Sequence, residues 1–366
     1  MSFFLAAGLA AALPAAASPM YRLTPLGSLP GLSNSEAFGI NNAGEVTGGA
    51  FGRGSASEVP FLYNGTKMMG LGIAQGAGQS INSRGQIAGQ ASGEAFFYNG
   101  SSVTYLGAVP GGRAASNAFG VNDSGEVVGE LYGPPTRAFI YNGTRVSDLG
   151  SFPGGKFAGA VAINSNGEIT GSADVGHGNG HAFVDKGKTM QDIGTLGGGN
   201  SSGHSINASG EVTGWSTTKR NAANHAFLYN GTRMIDLGAL PGDADSTGAG
   251  INDAGDVVGW SGASGAVNHA FLYDSTGMHD LNDLIDSSDP FLLTNPSFIL
   301  DEATGINDSG QIVGDGFYTP KGSRQQVFEA FILTPESPVA APEPTALSLV
   351  ATGMIALFVV RRRKTV

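Results

Sequence analysis

The phrase "IN..G.(V/I).G" occurs seven times in this chain: "INNAGEVTG" from residue 40, "INSRGQIAG" from 81, "VNDSGEVVG" from 121, "INSNGEITG" from 163, "INASGEVTG" from 206, "INDAGDVVG" from 251 and "INDSGQIVG" from 306. Successive copies start 41, 40, 42, 43, 45 and 55 residues apart. Such a period marks a repeat architecture, whose units bury their apolar faces against one another. A second phrase accompanies each copy: "PFLYNG" at 60, "AFFYNG" at 95, "AFIYNG" at 138, "HAFVDKG" at 181, "HAFLYNG" at 225, "HAFLYDSTG" at 269 and "EAFILTP" at 329. As a strand, residues 226–229 point Ala226 and Leu228 to one side and Phe227 and Tyr229 to the other, so both faces are apolar. A sheet sandwiched between two others has that pattern.

Asn64-Gly65, Asn99-Gly100, Asn142-Gly143 and Asn230-Gly231 predict two-residue hairpin turns of positive φ. The next strand ends in "DLG", as at Asp236-Leu237-Gly238, a third ends in the "IN" phrase, and a fourth follows its glycine, as in residues 256–259. Four short strands in about 45 residues make a propeller blade. Composition agrees, since 59 glycines and only 13% charged residues suit a design dominated by turns.

The ends of the repeat decide between a ring and a row. The repeat region opens with "YRLTPLGSLPG" at 21 and closes on the aromatic strand at 329, which lacks its "DLG" successor. Taking the opening strand as that successor gives seven aromatic strands and seven partners, near Leu26, Leu71, Leu106, Leu149, Ile193, Leu237 and Leu281. The expected fold is therefore all-β: a seven-bladed β-propeller of four-stranded antiparallel blades, closed by pairing of the N- and C-terminal strands, which removes exposed sheet edges.

Outside residues 18–335 the composition changes. Residues 1–17 are apolar, and Ala15 and Ala17 form a small-x-small site with Ser18 following, so cleavage of a signal peptide is expected between Ala17 and Ser18. Residues 336–345 form a linker. Residues 346–360 form an apolar run that would rise about 22 Å as a helix, short of a full bilayer core. Residues 361–366 carry Arg361, Arg362, Arg363 and Lys364, a cluster that the positive-inside rule holds on the cytoplasmic side. The order Pro342-Glu343-Pro344, apolar helix, basic terminus resembles the PEP-CTERM sorting signal of Gram-negative bacteria. That resemblance implies recognition near the motif by an exosortase-type protease after passage through the secretion machinery. The chain would be anchored transiently in the inner membrane and then released to the surface. Pro342, Glu343 and Pro344 would be substrate residues of that protease.

The repeats, through "HAFLYNG...DLG.LPG" and "IND.G.VVG", resemble the HAF-repeat extracellular proteins over about residues 21–335. The resemblance implies export and repetition and supplies no catalytic positions. The first three units depart from it, with Val59-Pro60, Glu94-Ala95 and Arg137-Ala138 where the His-Ala would stand, and the seventh has Glu329.

Without the terminal basic cluster the chain has 15 basic against 30 acidic side chains, a balance that excludes nucleic acid as an expected partner. Cysteine is absent, which removes thiolate chemistry and disulfides. His181, His225 and His269 recur at intervals of 44, in equivalent places on separate blades, too far apart to share a metal; a hydrogen bond at a strand start is expected of them. His177 and His204 could join them only through loop placement. The "NDSG" and "NDAG" segments at 122, 252 and 307 offer too few oxygens for an EF-hand, and Asn252 and Asp253 suit side-chain-to-backbone turn bonds. The N-x-S/T sequons at Asn64, Asn99, Asn142 and Asn230 coincide with the hairpins; Asn200 and Asn207 carry two more. No hydrolase, Walker or dinucleotide motif is present, and no metal or cofactor is expected. One stretch breaks the period, "DLIDSSDPFLLTNPSFILDE" from Asp283 to Glu302, containing Asp286, Asp289, Asp301, Phe291 and Phe298; it reads as a recognition surface or as a longer strand and loop. The expected function is non-catalytic binding of an extracellular polysaccharide or surface protein. An enzyme acting on extracellular polysaccharide and a passive matrix or coat component are the alternatives.

Overall fold

Seven four-stranded antiparallel sheets follow one another along the chain and form the blades. The computed structural model describes residues 20–336, except 56, 108–114, 177, 188 and 264–266. All the blades belong to one compact unit, Met1–Pro335; in the second, Glu336–Val366, only Glu336 is described. The signal segment with Ala17 and Ser18, the Pro342-Glu343-Pro344 motif, the apolar run 346–360, Arg361 to Lys364 and His177 lie outside the described residues. Among the described residues no helix is long and apolar enough to cross a membrane.

Blade I shows the plan. Its inner strand Asn34–Ile40 ends in the "IN" phrase, Val46–Phe51 follows the glycine, Glu58–Tyr63 is the aromatic strand and Met68–Gly70 lies outermost. The phenylalanine of each aromatic strand, Phe61, Phe96, Phe139, Phe183, Phe227, Phe271 or Phe331, is fully buried. Burial of each ring stabilises the stack by about 1.5–3 kcal/mol.

The final glycine of each "IN" phrase is fixed by a close approach. A Cβ on Gly214 would lie 1.9 Å from the Ser202 carbonyl oxygen, and the equivalents Gly48, Gly89, Gly129, Gly171, Gly259 and Gly314 meet the inner strand within 2.1 Å. Just beyond this contact, each inner strand carries a β-bulge. The first glycine of the phrase instead turns the chain at positive φ, as at Gly44 and Gly255.

Blade VII closes the ring. Its inner three strands are Ile299–Ile306, Ile312–Tyr318 and Val327–Pro335, and its outer strand is Tyr21–Pro25, antiparallel to the last strand with Tyr21 opposite Pro335 and Leu23 opposite Leu333. The long insertion buttresses this joint. It folds into a 3-10 turn, Leu281–Leu284, and a short α-helix, Pro290–Thr294. Asp289 caps that helix and also accepts a hydrogen bond from the Leu23 backbone at 3.2 Å, while Ile285 bridges Tyr21. Phe298 is buried, and Phe291, Phe298 and Tyr318 pack edge to face. A longer inner strand and a connecting loop are both present here, and much of the stretch's apolar surface faces inward, with Leu293 left outside.

The hairpins differ from the two-residue turn expected at the Asn-Gly pairs. Tyr63 pairs with Met68 and Tyr229 with Met234, leaving four-residue connections. Only the glycine takes positive φ. The asparagine side chain organises the loop: Asn230 Oδ1 accepts from the backbones of Thr232 and Arg233 and from the Thr232 hydroxyl. Asn64, Asn99 and Asn142 repeat the pattern, so the sequon's Ser or Thr is a turn residue.

Candidate functional site

The seven inner strands surround an axial channel. Within it lies a cavity of about 560 Å³ lined by the bulged residue of every inner strand, Phe38, Gln79, Phe119, Val161, His204, Ala249 and Thr304. A bulge pushes its extra residue out of the ladder, which re-aims the side chain. The seven positions are structurally equivalent, yet their residues are all different apart from the two phenylalanines. Repetition is abandoned where side chains meet the space on the axis. Among the described residues no charged side chain lines this cavity. His204 is enclosed by protein on all sides but the channel, and burial pushes its imidazole down to about 4, partly offset by a hydrogen bond with the Gly248 backbone. It is therefore neutral at ordinary pH and able to donate or accept.

At one end of the cavity stands the Ile or Val of each phrase, and its asparagine forms one mouth. Asn41 Nδ2 donates to the Asn82 carbonyl at 2.9 Å, Asn82 to Asn122 at 2.8 Å, Asn122 to Asn164 at 3.4 Å and Asn164 to Asn207 at 2.9 Å. Asn207 donates to Asn252 at 3.1 Å, Asn252 to Asn307 at 3.5 Å, and Asn307 returns to Asn41 at 3.0 Å. Each asparagine also accepts two backbone N–H bonds within its own turn and donates to the side chain four residues on, as Asn164 does with Asn166, Glu168 and the Glu168 carboxylate. Both ends of every amide are used. Asp123, Asp253 and Asp308 sit just outside, accepting backbone N–H bonds from Ser83, Ala208 and Asp253. The turn bonding expected of Asn252 is thus present. For Asp253 the bond runs to the neighbouring blade.

Toward the other mouth, two residues before the bulge, the inner strands of blades I and VII carry Glu36 and Glu302. Glu302 stands directly opposite Asp315 across the ladder of blade VII. Burial, reinforced by Glu302, Glu36 and Asp301, pushes Asp315 up to about 8. Burial, then Glu58 and Glu302, pushes Glu36 up to about 7. Glu58 and Glu302 are also raised, chiefly by burial, with Asp301 adding to Glu302. Asn268 donates a hydrogen bond to Glu302 at 3.4 Å. Asp301 and Glu302, singled out within the long insertion, belong to this cluster.

The histidines of "HAF" are explained one blade at a time. His181, His225 and His269 each meet, through Nδ1, the aspartate at the "DLG" position of their own blade ("DIG" at 192, "DLG" at 236, "DLN" at 280): Asp192 at 2.9 Å, Asp236 at 2.8 Å and Asp280 at 2.8 Å. Arg137 makes the equivalent pair with Asp148. In blade VII, Pro25 replaces the aspartate, and Glu329 accepts the Gly27 N–H that the aspartate accepts elsewhere. Among the described residues no three His, Cys, Asp or Glu are arranged to hold a metal ion.

The fold and channel define a closed seven-bladed β-propeller. Residues 237–335 match a family described as protein of unknown function (DUF3466). No curated protein matches. Among solved structures, the chain is similar to the β-propeller domain of the Trilobed protease from Pyrococcus furiosus, of open velcro topology, at 12% identity over 70% of this chain and 83% of that one, with a TM-score of 0.51. It is similar also to a puromycin hydrolase, at 13% identity over 86% of this chain and 54% of that one, with a TM-score of 0.51. The chain spans about half the length of that hydrolase. These likenesses establish the fold, and the paired ends here contrast with the open velcro of the first.

Proposed function

We propose that this chain is an exported, surface-associated, non-catalytic propeller that binds an extracellular glycan or protein through its axial channel. The observation that carries this reading is the loss of repetition at the seven bulged positions, next to the invariant asparagine of the adjoining circle. Two phenylalanines beside amide, imidazole and hydroxyl groups suit a partner with both apolar and hydrogen-bonding faces. The secretory and PEP-CTERM-like segments supply the export part of the proposal, with the secretion machinery and an exosortase-type protease as processing partners.

The decisive experiment passes the full chain, and a Phe38→Ala/Phe119→Ala variant, over a glycan array and over solubilised cell-surface material. Saturable binding that the double variant loses supports the channel. Binding retained by the variant removes the channel from the proposal, and absence of any saturable partner leaves a passive coat component. The enzyme alternative has one observation in its favour, the directly opposed carboxyls of Glu302 and Asp315. Cleavage of polysaccharide by the wild-type chain but not by Asp315→Asn would replace the binding reading. Mass spectrometry of the mature protein tests export: a chain starting at Ser18 and ending near Pro344 is expected, and an intact Arg361 to Lys364 tail would overturn the processing step.

A further inference from the structure

The seam between the last blade and the first is electrostatically unlike the other six. At the position of Glu36, the inner strands of blades II to VI carry Ala77, Asn117, Gly159, Ser202 and Thr247. At the position of Asp315, the second strands carry Gly49, Gln90, Glu130, Ser172, Trp215 and Trp260. The repeat therefore provides its own control. Neither position needs a carboxylate for the blade to form, and only this seam places several within reach of one another.

Asp315 is 9% exposed, and among the described residues no hydrogen bond or ion pair reaches its carboxylate, although Glu302 stands opposite it and Glu36 and Asp301 act on it through charge. Among the described residues, the basic group acting on the cluster is His269, through Asp301, and it is already paired with Asp280. Arg53, on the loop after the second strand of blade I, bonds to Gln325 instead. Burying an unpaired carboxylate among others costs stability, and such local conflict is characteristic of binding sites.

Aromatic rings adjoin the acids on the same strands. Phe317 lies two residues beyond Asp315, so both point to one face of their strand, and its ring packs at a tilt against that of Phe328, with centroids 6.2 Å apart. Phe328 meets Phe51 of blade I across the seam at 6.4 Å, and Phe51 stands opposite Glu58. All three rings are half-buried. Ring faces and carboxylates together recognise an organic cation, the rings through their quadrupoles and the acids through charge.

We propose that the seam between blades VII and I receives a lysine or arginine side chain of a protein partner, its charged end between Glu36, Glu302 and Asp315 and its apolar stem along Phe51, Phe328 and Phe317. A stem is what the rings can cover, and a sugar ammonium, borne on a ring of hydroxyls, has none. This site is separate from the axial cavity and stands whether or not the cavity takes a ligand. Entry of a cation stabilises the ionised acids, so binding near neutral pH releases protons from Asp315, which its raised value leaves largely protonated in the empty seam, and from Glu36, which is about half protonated there.

The test is isothermal titration of the full chain with acetyl-Gly-Lys-Gly-amide and acetyl-Gly-Arg-Gly-amide, in two buffers of different ionisation enthalpy at pH 7. Expected are saturable binding of at least one peptide, proton release revealed by the buffer difference, weakening with salt, and at least a tenfold loss in Glu36→Gln/Asp315→Asn. Glu130→Gln, at the matching position of blade III, should bind as the wild type does. The acidic substitutions relieve repulsion, so a raised or unchanged Tm shows that lost binding is not lost folding. No saturable binding of either peptide, or equal binding by the double variant, overturns the proposal. Glucosamine oligomers binding in place of the peptides would overturn the choice of a protein partner, and calcium chloride displacing a bound peptide stoichiometrically would make the seam a metal site.

Discussion

Asparagine 164 shows how much one side chain of the repeat carries. Replacing it with alanine removes two donated and two accepted hydrogen bonds and leaves the Asn207 carbonyl without its neighbour. A loss of roughly 2–4 kcal/mol is expected for Asn164→Ala, measured by urea unfolding. Asp315 and His204 give the molecule an unusual pH response. Asp315 rises from an ordinary 3.8 to about 8 in the fold and Glu36 from 4.5 to about 7, so the folded state holds more protons than the unfolded chain between those values. Their stabilising contribution is complete below the unfolded values and is lost as pH rises through the folded ones. His204 works oppositely: lowered from 6.5 to about 4, it favours the fold above 6.5 and withdraws that support as pH falls through 4. Between pH 6.5 and 8 only the acids of this set still change, so Tm should fall across that window, and in Asp315→Asn the fall should shrink. A Tm that rises over the same range would contradict the buried-acid assignment.

At the scale of the strand and its turn, the repeat phrases were legible because each letter answers a local demand. The final glycine could be recognised as obligatory before its reason was visible: only the folded blade shows the Ser202 carbonyl beside Gly214. Gly214→Ala should cost about 3 kcal/mol through overpacking, whereas Gly231→Ala, at φ +86° with open space around it, should cost about 1–2 kcal/mol through backbone strain alone. Equilibrium denaturation of the two variants separates these causes. The histidine and aspartate of "HAF" and "DLG" are eleven residues apart and pair across adjacent strands, a link hidden by the four-residue loop that was expected to be a two-residue turn. Being partly exposed, the His225–Asp236 pair should show a coupling below about 1 kcal/mol in a double-mutant cycle. His225→Arg should be tolerated, since Arg137–Asp148 already uses that chemistry. What the sequence could not disclose were the channel lining and the acidic seam. A bulge has no residue signature when Phe38, Gln79 and Ala249 all occupy it, and Glu36 and Glu58 of blade I meet Glu302 and Asp315 of blade VII only when the ring shuts.

For the whole molecule, the seven-fold count and the shared last blade follow from one mismatch, an opening strand without an aromatic partner and a final aromatic strand without a successor. Deleting residues 18–28 should therefore unfold or aggregate the entire domain, seen as loss of a single cooperative transition, whereas fraying confined to blade VII would argue that the other blades stand alone. Asp289→Ala, which removes both the helix cap and the hydrogen bond to Leu23, should be milder, at roughly 1–3 kcal/mol, with hydrogen exchange accelerated first in residues 21–25.

The antiparallel match of Tyr21 with Pro335 also governs time. A chain made from its amino end presents the strand Tyr21–Pro25 at the outset and its partner, Val327–Pro335, only after every other blade has emerged. Until then the circle of asparagines lacks its return step from Asn307 to Asn41, and the first blade has no neighbour on one side. The contacts of greatest sequence separation are thus the last that synthesis can supply, and they complete the ring. A nascent chain of this design can assemble its blades one after another, yet it completes the ring only when its final strand has been made.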